Sequence, residues 1–162
     1  QYIVEEAFNS GIEEVLIITN RGKGAIEDHF DHAFELETKL EGKADKKDIL
    51  DSVKQCSKFG NIYFLRQKET GGLGHAVLCA KSFVGNEPFA VLYGDDVIIS
   101  ENPVTKQLID AYNKYSKCAV GVKEVPTENV MKYCSLAVEH LEGNNYICND
   151  MIEKPKKEEN FR

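Results

Sequence analysis

The sequence predicts an α/β fold: a mainly parallel sheet flanked by helices, with an antiparallel hairpin near the C-terminus. Three observations carry that expectation. Short apolar runs, such as Val15-Leu16-Ile17-Ile18-Thr19 and Phe89-Ala90-Val91-Leu92-Tyr93, have no polar break, as in strands buried on both faces. Stretches of helical periodicity separate them, and strands alternating with helices imply parallel pairing. Two later runs, residues 135–140 and 145–153, flank Glu142-Gly143-Asn144, a hairpin turn.

The elements come in this order. Gln1-Tyr2-Ile3-Val4-Glu5-Glu6-Ala7-Phe8 places Ile3/Ala7 and Val4/Phe8 at i, i+4, and Gly11 is a natural helix stop. After the first strand, Asn20-Arg21-Gly22-Lys23-Gly24 reads as a loop and residues 25–32 as a helix. Residues 33–59 are helical and highly charged, split in two at Glu41-Gly42-Lys43; a solvated face is the plain reading, an interaction module the other. Residues 61–67 form the next strand, and residues 75–83 a helix opened by Gly71-Gly72-Leu73-Gly74. Asn102-Pro103 starts another helix, with asparagine as cap and proline in the first turn. Cys118-Ala119-Val120-Gly121-Val122 reads as a further strand.

Composition bounds the function. The 162 residues suit one domain, residues 1–162, with 42% hydrophobic and 29% charged residues. A net charge of -7 argues against a nucleic-acid partner, which needs a basic surface. No apolar run is long enough to span a membrane, and no signal peptide is visible. Five scattered cysteines without a C-x-x-C pair read as reduced, mostly buried thiols, which suggests a cytoplasmic protein. Both ends read as cut from a longer protein: a helix begins at once without a methionine, and the chain stops within a charged run.

Four places could carry chemistry. Gly94-Asp95-Asp96 closes an apolar run, and ligands of open parallel sheets bind beyond the carboxyl ends of strands. Two carboxylates there suit a hard cation such as Mg²⁺, though the octet reads equally as a strand followed by a polar turn. Gln67 ends a strand just before the glycine turn; its amide offers a donor and an acceptor, and glycines such as Gly72 admit a flat ring near the backbone. That pair could cradle a nucleobase, while a plain glycine-rich strand-to-helix turn is the simpler reading of the spacing. No P-loop or dinucleotide fingerprint occurs there. Ile152-Glu153-Lys154-Pro155 ends a late strand; proline biases Lys154 toward an extended backbone, from which the ammonium could neutralise a phosphate. The same lysine also opens an ordinary charged run through Glu159. His29 and His32 have metal-ligand spacing on a helix, but no third ligand is nearby, and they read as surface polar residues.

Taken together, Gln1-Tyr2-Ile3-Val4-Glu5-Glu6-Ala7, Gly11-Ile12-Glu13-Glu14-Val15-Leu16-Ile17-Ile18-Thr19, Arg21-Gly22-Lys23 and Ala25-Ile26-Glu27-Asp28-His29-Phe30-Asp31 resemble the bacterial UTP–glucose-1-phosphate uridylyltransferases (UDP-glucose pyrophosphorylases). So do Arg66-Gln67-Lys68-Glu69, Gly72-Leu73-Gly74-His75-Ala76-Val77-Leu78, Gly94-Asp95-Asp96 and Glu153-Lys154-Pro155. The resemblance covers nearly the whole chain. It implies a Rossmann-like nucleotide-diphosphosugar transferase fold. It also implies the reaction of UTP with glucose 1-phosphate to give UDP-glucose and pyrophosphate, with Mg²⁺, in a full-length protein that is a homo-oligomer (dimer or tetramer). By the same resemblance Gln67 and Gly72 contact uracil, Asp95 holds the metal near the sugar nucleotide, Glu153 meets glucose hydroxyls, and Lys154 contacts the sugar phosphate as a catalytic group. The family's G-x-G-T-R phosphate loop is expected ahead of Gln1, and a second metal carboxylate beyond Arg162. Cys134 stands where the family usually has glycine, so it is left out of the site. Two alternatives stand beside this: a sister sugar-1-phosphate nucleotidyltransferase using dTTP or another nucleotide, and a noncatalytic homologue that senses nucleotide sugars.

Overall fold

The computed structural model describes residues 1–156, in two compact units split after Val120. In the first, α1 (Tyr2–Asn9) buries Val4 and Ala7. Ser10 ends it, its hydroxyl donating to the Glu6 carbonyl at 2.7 Å, and Gly11 comes next at φ +88°. Strand β1 (Glu14–Thr19) then pairs in parallel with β2 (Asn61–Arg66), in register from Glu14 opposite Asn61 to Thr19 opposite Arg66. The Gln67 N–H extends the ladder by donating to the Thr19 carbonyl at 2.7 Å. Tyr63 donates its hydroxyl to Glu14 across the pair at 3.2 Å, a bond that raises the phenol's pKa above its ordinary value.

The crossover between the strands is helical: α2 (Gly24–Phe30), α3 (Phe34–Glu41) and α4 (Lys47–Cys56), with a short 3₁₀ turn at Ala44–Lys46. The predicted break at Gly42 is therefore real. Leu40 and Cys56 are buried on α3 and α4, and Lys54 reaches Glu41 between them at 2.7 Å. Rings of Phe8, Phe30, Phe59 and Phe64 lie within 6.1–6.4 Å of one another in a chain of contacts that ties α1 and α2 to β2. Gly60 is seated so tightly beside this group that a Cβ would lie 2.7 Å from the Phe8 ring. His32 faces the buried Glu37 carboxylate at 3.4 Å and the Ser57 hydroxyl at 3.3 Å, while His29 stands edge-on to Phe30. The histidine pair thus serves packing and polar contacts within the helical segment.

The predicted helix over residues 75–83 is two helices, α5 (Leu73–Cys79) and α6 (Lys81–Val84), joined at Ala80. Helix α7 (Val104–Tyr115) starts one residue later than expected, with Pro103 at the cap position and no side-chain cap from Asn102. The cap comes from elsewhere in the unit: the Glu6 carboxylate accepts the N–H of the buried Thr105 at 2.8 Å and its hydroxyl at 2.9 Å. A carboxylate at the positive end of a helix satisfies an orphan donor and favours the dipole.

Two predicted strands are absent from the described residues. Residues 89–93 and 118–122 belong to no strand and pair with none, with Phe89 58%, Val91 48%, Val120 62% and Val122 64% exposed. An apolar run becomes a buried strand only where neighbours accept its backbone bonds and cover its faces. The parallel sheet here has two strands, β1 and β2, and neither run joins it.

The second unit contains a 3₁₀ segment at Thr127–Lys132 and the antiparallel pair β3 (Cys134–Glu142) and β4 (Asn145–Glu153). Gly143, at φ +54°, makes the predicted turn, where a left-handed residue matches the strand twist. Of the cysteines, Cys56 is buried and Cys79 partly so, but Cys118, Cys134 and Cys148 are exposed, which corrects the expectation of mostly buried thiols. No helix among the described residues is long and apolar enough to cross a membrane.

Candidate functional site

The parallel ladder ends at Thr19 and Gln67, so the glycine turn begins at the carboxyl edge of the β1–β2 pair. Ligands of such sheets bind at this edge. The turn is built from its own bonds. Gly72 sits at φ +84°, a conformation that glycine adopts without cost, and its carbonyl accepts the Ala76 N–H to start α5. Gln67 Nε2 lies 3.3 Å from the Gly72 carbonyl and 2.8 Å from Nδ1 of His75. The structure therefore joins Gln67 and Gly72 directly, and brings in His75. A Cβ on Gly72 would meet nothing within 4 Å, so glycine is needed there for its backbone angle and not to relieve crowding.

Sequence reasoning finds His75 only as part of the motif that opens a helix. The signal that could have found it is its place: first turn of the helix, one helical turn beyond Gly71. A Cβ on Gly71 would lie 2.9 Å from His75 Cγ, so the imidazole rests against bare backbone. A shallow concavity of about 300 Å³ opens beside the turn, lined by Leu65, Arg66, Lys68, Glu69, His75 and Cys79. Its two cations can face a phosphate or carboxylate group.

Asp95 lies in a turn of its own. The Asp96 N–H donates back to the Tyr93 carbonyl at 3.2 Å, and both aspartates are exposed. The expectation that a buried strand delivers them is corrected: the turn exists, the strand before it does not. Among the described residues no group of three or more His, Cys, Asp or Glu side chains is placed to hold a metal ion. The adjacent carboxylates of Asp95 and Asp96 are hard oxygen donors. They fit Mg²⁺, which takes one or two protein carboxylates and fills its remaining positions with water or phosphate oxygens.

In the second unit Glu153 ends β4 opposite Cys134, and Lys154 comes next at φ +48°. The predicted extended backbone at Lys154 is thus replaced by a left-handed one. Its N–H donates to the Tyr133 carbonyl at 2.7 Å, and Pro155 next to it is buried; together these override the pre-proline bias. The Lys154 ammonium lies 3.7 Å from Glu153 with its side chain 69% exposed, a contact of little energetic weight. The charged run beyond Lys156 lies outside the described residues.

Residues 1–161 match the nucleotidyl transferase family. The chain belongs to that family. It is similar to the UTP–glucose-1-phosphate uridylyltransferase YngB of Bacillus subtilis (strain 168), 52% identical over 159 residues, covering 98% of this chain and 53% of that protein. A second Bacillus subtilis (strain 168) UTP–glucose-1-phosphate uridylyltransferase is 47% identical over 157 residues, covering 97% of this chain and 53% of the relative. Among solved structures, an apo UDP-glucose pyrophosphorylase superposes with a TM-score of 0.90 at 39% identity, covering 98% of this chain and 59% of that one. A UDP-glucose pyrophosphorylase complexed with UDP-glucose matches with a TM-score of 0.85 at 38% identity, over 98% and 58% of the two chains. The fold is therefore the nucleotidyl transferase α/β fold that the sequence predicts. The chain spans about half the length of the curated relatives it matches.

Proposed function

We propose that the full-length protein is a UTP–glucose-1-phosphate uridylyltransferase, with residues 1–162 forming part of its single catalytic domain. The observation that carries this reading is the 47–52% identity to such enzymes over nearly the whole chain. The Gln67–Gly72 contact at the carboxyl edge of the parallel pair supports it. The substrates are UTP and glucose 1-phosphate, and the products UDP-glucose and pyrophosphate. The same reading includes a cytoplasmic setting and a homo-oligomeric full-length protein.

Gln67 and Gly72 meet the uracil edge through the amide and the open backbone of the turn. Glu153 accepts hydrogen bonds from glucose hydroxyls, and Lys154 neutralises the sugar phosphate. Asp95 holds Mg²⁺, with Asp96 its neighbour. Enzymes of this family generally use a divalent metal, which when bound offsets negative charge on the nucleotide phosphates. A phosphate oxygen of glucose 1-phosphate attacks the α-phosphorus of UTP in line, and the bond to the β-phosphate breaks to release pyrophosphate. No bond to the protein is formed. The chain's own residues contribute position and charge, the two effects that dominate phosphoryl-group chemistry.

The test is formation of UDP-glucose and pyrophosphate from UTP and glucose 1-phosphate by the full-length protein, with dTTP, CTP and GTP as competitors. Turnover with UTP above the others supports the reading. A preference for dTTP assigns a sister activity, and binding without turnover assigns the sensing role.

A further inference from the structure

We infer that His75 is a positioning residue that fixes which end of the Gln67 amide meets the base, and so selects a base edge offering an N–H donor at its central ring nitrogen. This rests on the uridylyltransferase reading above. Two atoms of the turn have no choice of role. The Gly72 carbonyl can only accept a hydrogen bond, so the Gln67 atom 3.3 Å from it is the amide NH₂. That nitrogen can only donate, so His75 Nδ1, 2.8 Å away, is the acceptor. The neutral ring then carries its proton on Nε2. Both amide protons of Gln67 are committed within the turn, and the carbonyl Oε1 has no hydrogen-bond partner among the described residues.

An acceptor in that position suits uracil, whose N3 carries a hydrogen between two carbonyls. It opposes cytosine, whose N3 is a bare acceptor. A polar group built to pair with one pattern rejects the other strongly, because the mismatch leaves two acceptors face to face. Were the amide turned over, its NH₂ would face the base and the preference would fall or reverse. The Gly72 carbonyl holds one amide proton at a long 3.3 Å; the shorter bond to His75 is the stronger constraint. Gly71 completes the device. A Cβ there would lie 2.9 Å from His75 Cγ and 3.3 Å from Nδ1, so the ring is seated only because residue 71 has no side chain.

The experiment compares kcat/KM for UTP and CTP in the full-length protein and in its His75→Ala and His75→Asn variants. The wild type is expected to prefer UTP. His75→Ala should lower the UTP-to-CTP ratio about tenfold, the scale of one lost neutral hydrogen bond, through KM for the nucleotide and with KM for glucose 1-phosphate unchanged. His75→Asn, whose Oδ1 returns an acceptor near the place of Nδ1, should restore most of the ratio. A ratio within twofold of wild type in His75→Ala overturns the inference and leaves the uridylyltransferase reading standing. So does an Asn variant that behaves like Ala. A wild type that prefers CTP overturns both.

Discussion

At Gln67 the side chain is committed before any substrate arrives: two hydrogen bonds, at 2.8 and 3.3 Å, hold its amide between His75 and Gly72. At Lys154 the backbone is committed and the side chain is loose. Its N–H is tied to Tyr133 and its φ is +48°, yet its side chain is mostly in solvent, with the ammonium 3.7 Å from a still more exposed Glu153. The difference reflects what each group is proposed to recognise. A base edge presents donors and acceptors at fixed points, so the reader gains by being rigid. A phosphate is a diffuse charge, and an ammonium on a flexible stem can meet it from several directions.

The contrast is most exposed to experiment at the loose end. Lys154→Ala in the full-length protein removes the ammonium proposed to neutralise the sugar phosphate. Turnover should fall about 100-fold or more, with KM for UTP little changed. Near-normal kinetics with glucose 1-phosphate would remove Lys154 from the mechanism and leave the proposed contacts of the Gln67–Gly72 turn untouched. Next in size is Asp95→Asn. It keeps the turn between Tyr93 and Asp96, which uses backbone atoms only, and removes one hard anionic donor. The Mg²⁺ concentration for half-maximal rate should rise about tenfold. If Asp96→Asn shows that rise and Asp95→Asn does not, the assignment passes to the second aspartate. At the rigid end, Gly71→Ala should disturb the His75 ring without touching its chemistry and shift the UTP-to-CTP ratio in the same direction as His75→Ala, by a smaller factor.

The fold is legible in the sequence where a residue pattern and its partner are both local. Helix α1, strands β1 and β2, the break at Gly42 and the Gly143 hairpin come from periodicity, glycine placement and turn chemistry. The runs at residues 89–93 and 118–122 depart from expectation for one reason: apolarity reports a demand for burial, not the neighbours that meet it. The cap of α7 is invisible in the sequence because it comes from Glu6, almost a hundred residues earlier, while Asn102 offers a plausible local substitute. At the site, Gln67 and Gly72 can be named as candidates from a strand end and a glycine turn, and the aspartates from residue type alone, since the strand expected before them is absent. His75 cannot, because its role depends on the glycine turn folding the helix back onto Gln67.

The smallest expected effect separates backbone from charge at the loose end. A non-glycine residue in the left-handed region costs about 1–2 kcal/mol; glycine avoids that strain, but its greater freedom when unfolded cancels part of the gain. Lys154 tolerates that region because the Tyr133 carbonyl fixes its N–H and the burial of Pro155 anchors the chain on its other side. Replacing Lys154 by glycine and by alanine removes the same ammonium, so both variants should lose turnover equally. Their stabilities should differ: Lys154→Gly should exceed Lys154→Ala by about 1 kcal/mol, read from the denaturant midpoint of the transition that reports the hairpin. Equal midpoints would mean that the corner relaxes out of the left-handed region at no cost, and the contrast between a fixed backbone and a free ammonium would then be lost.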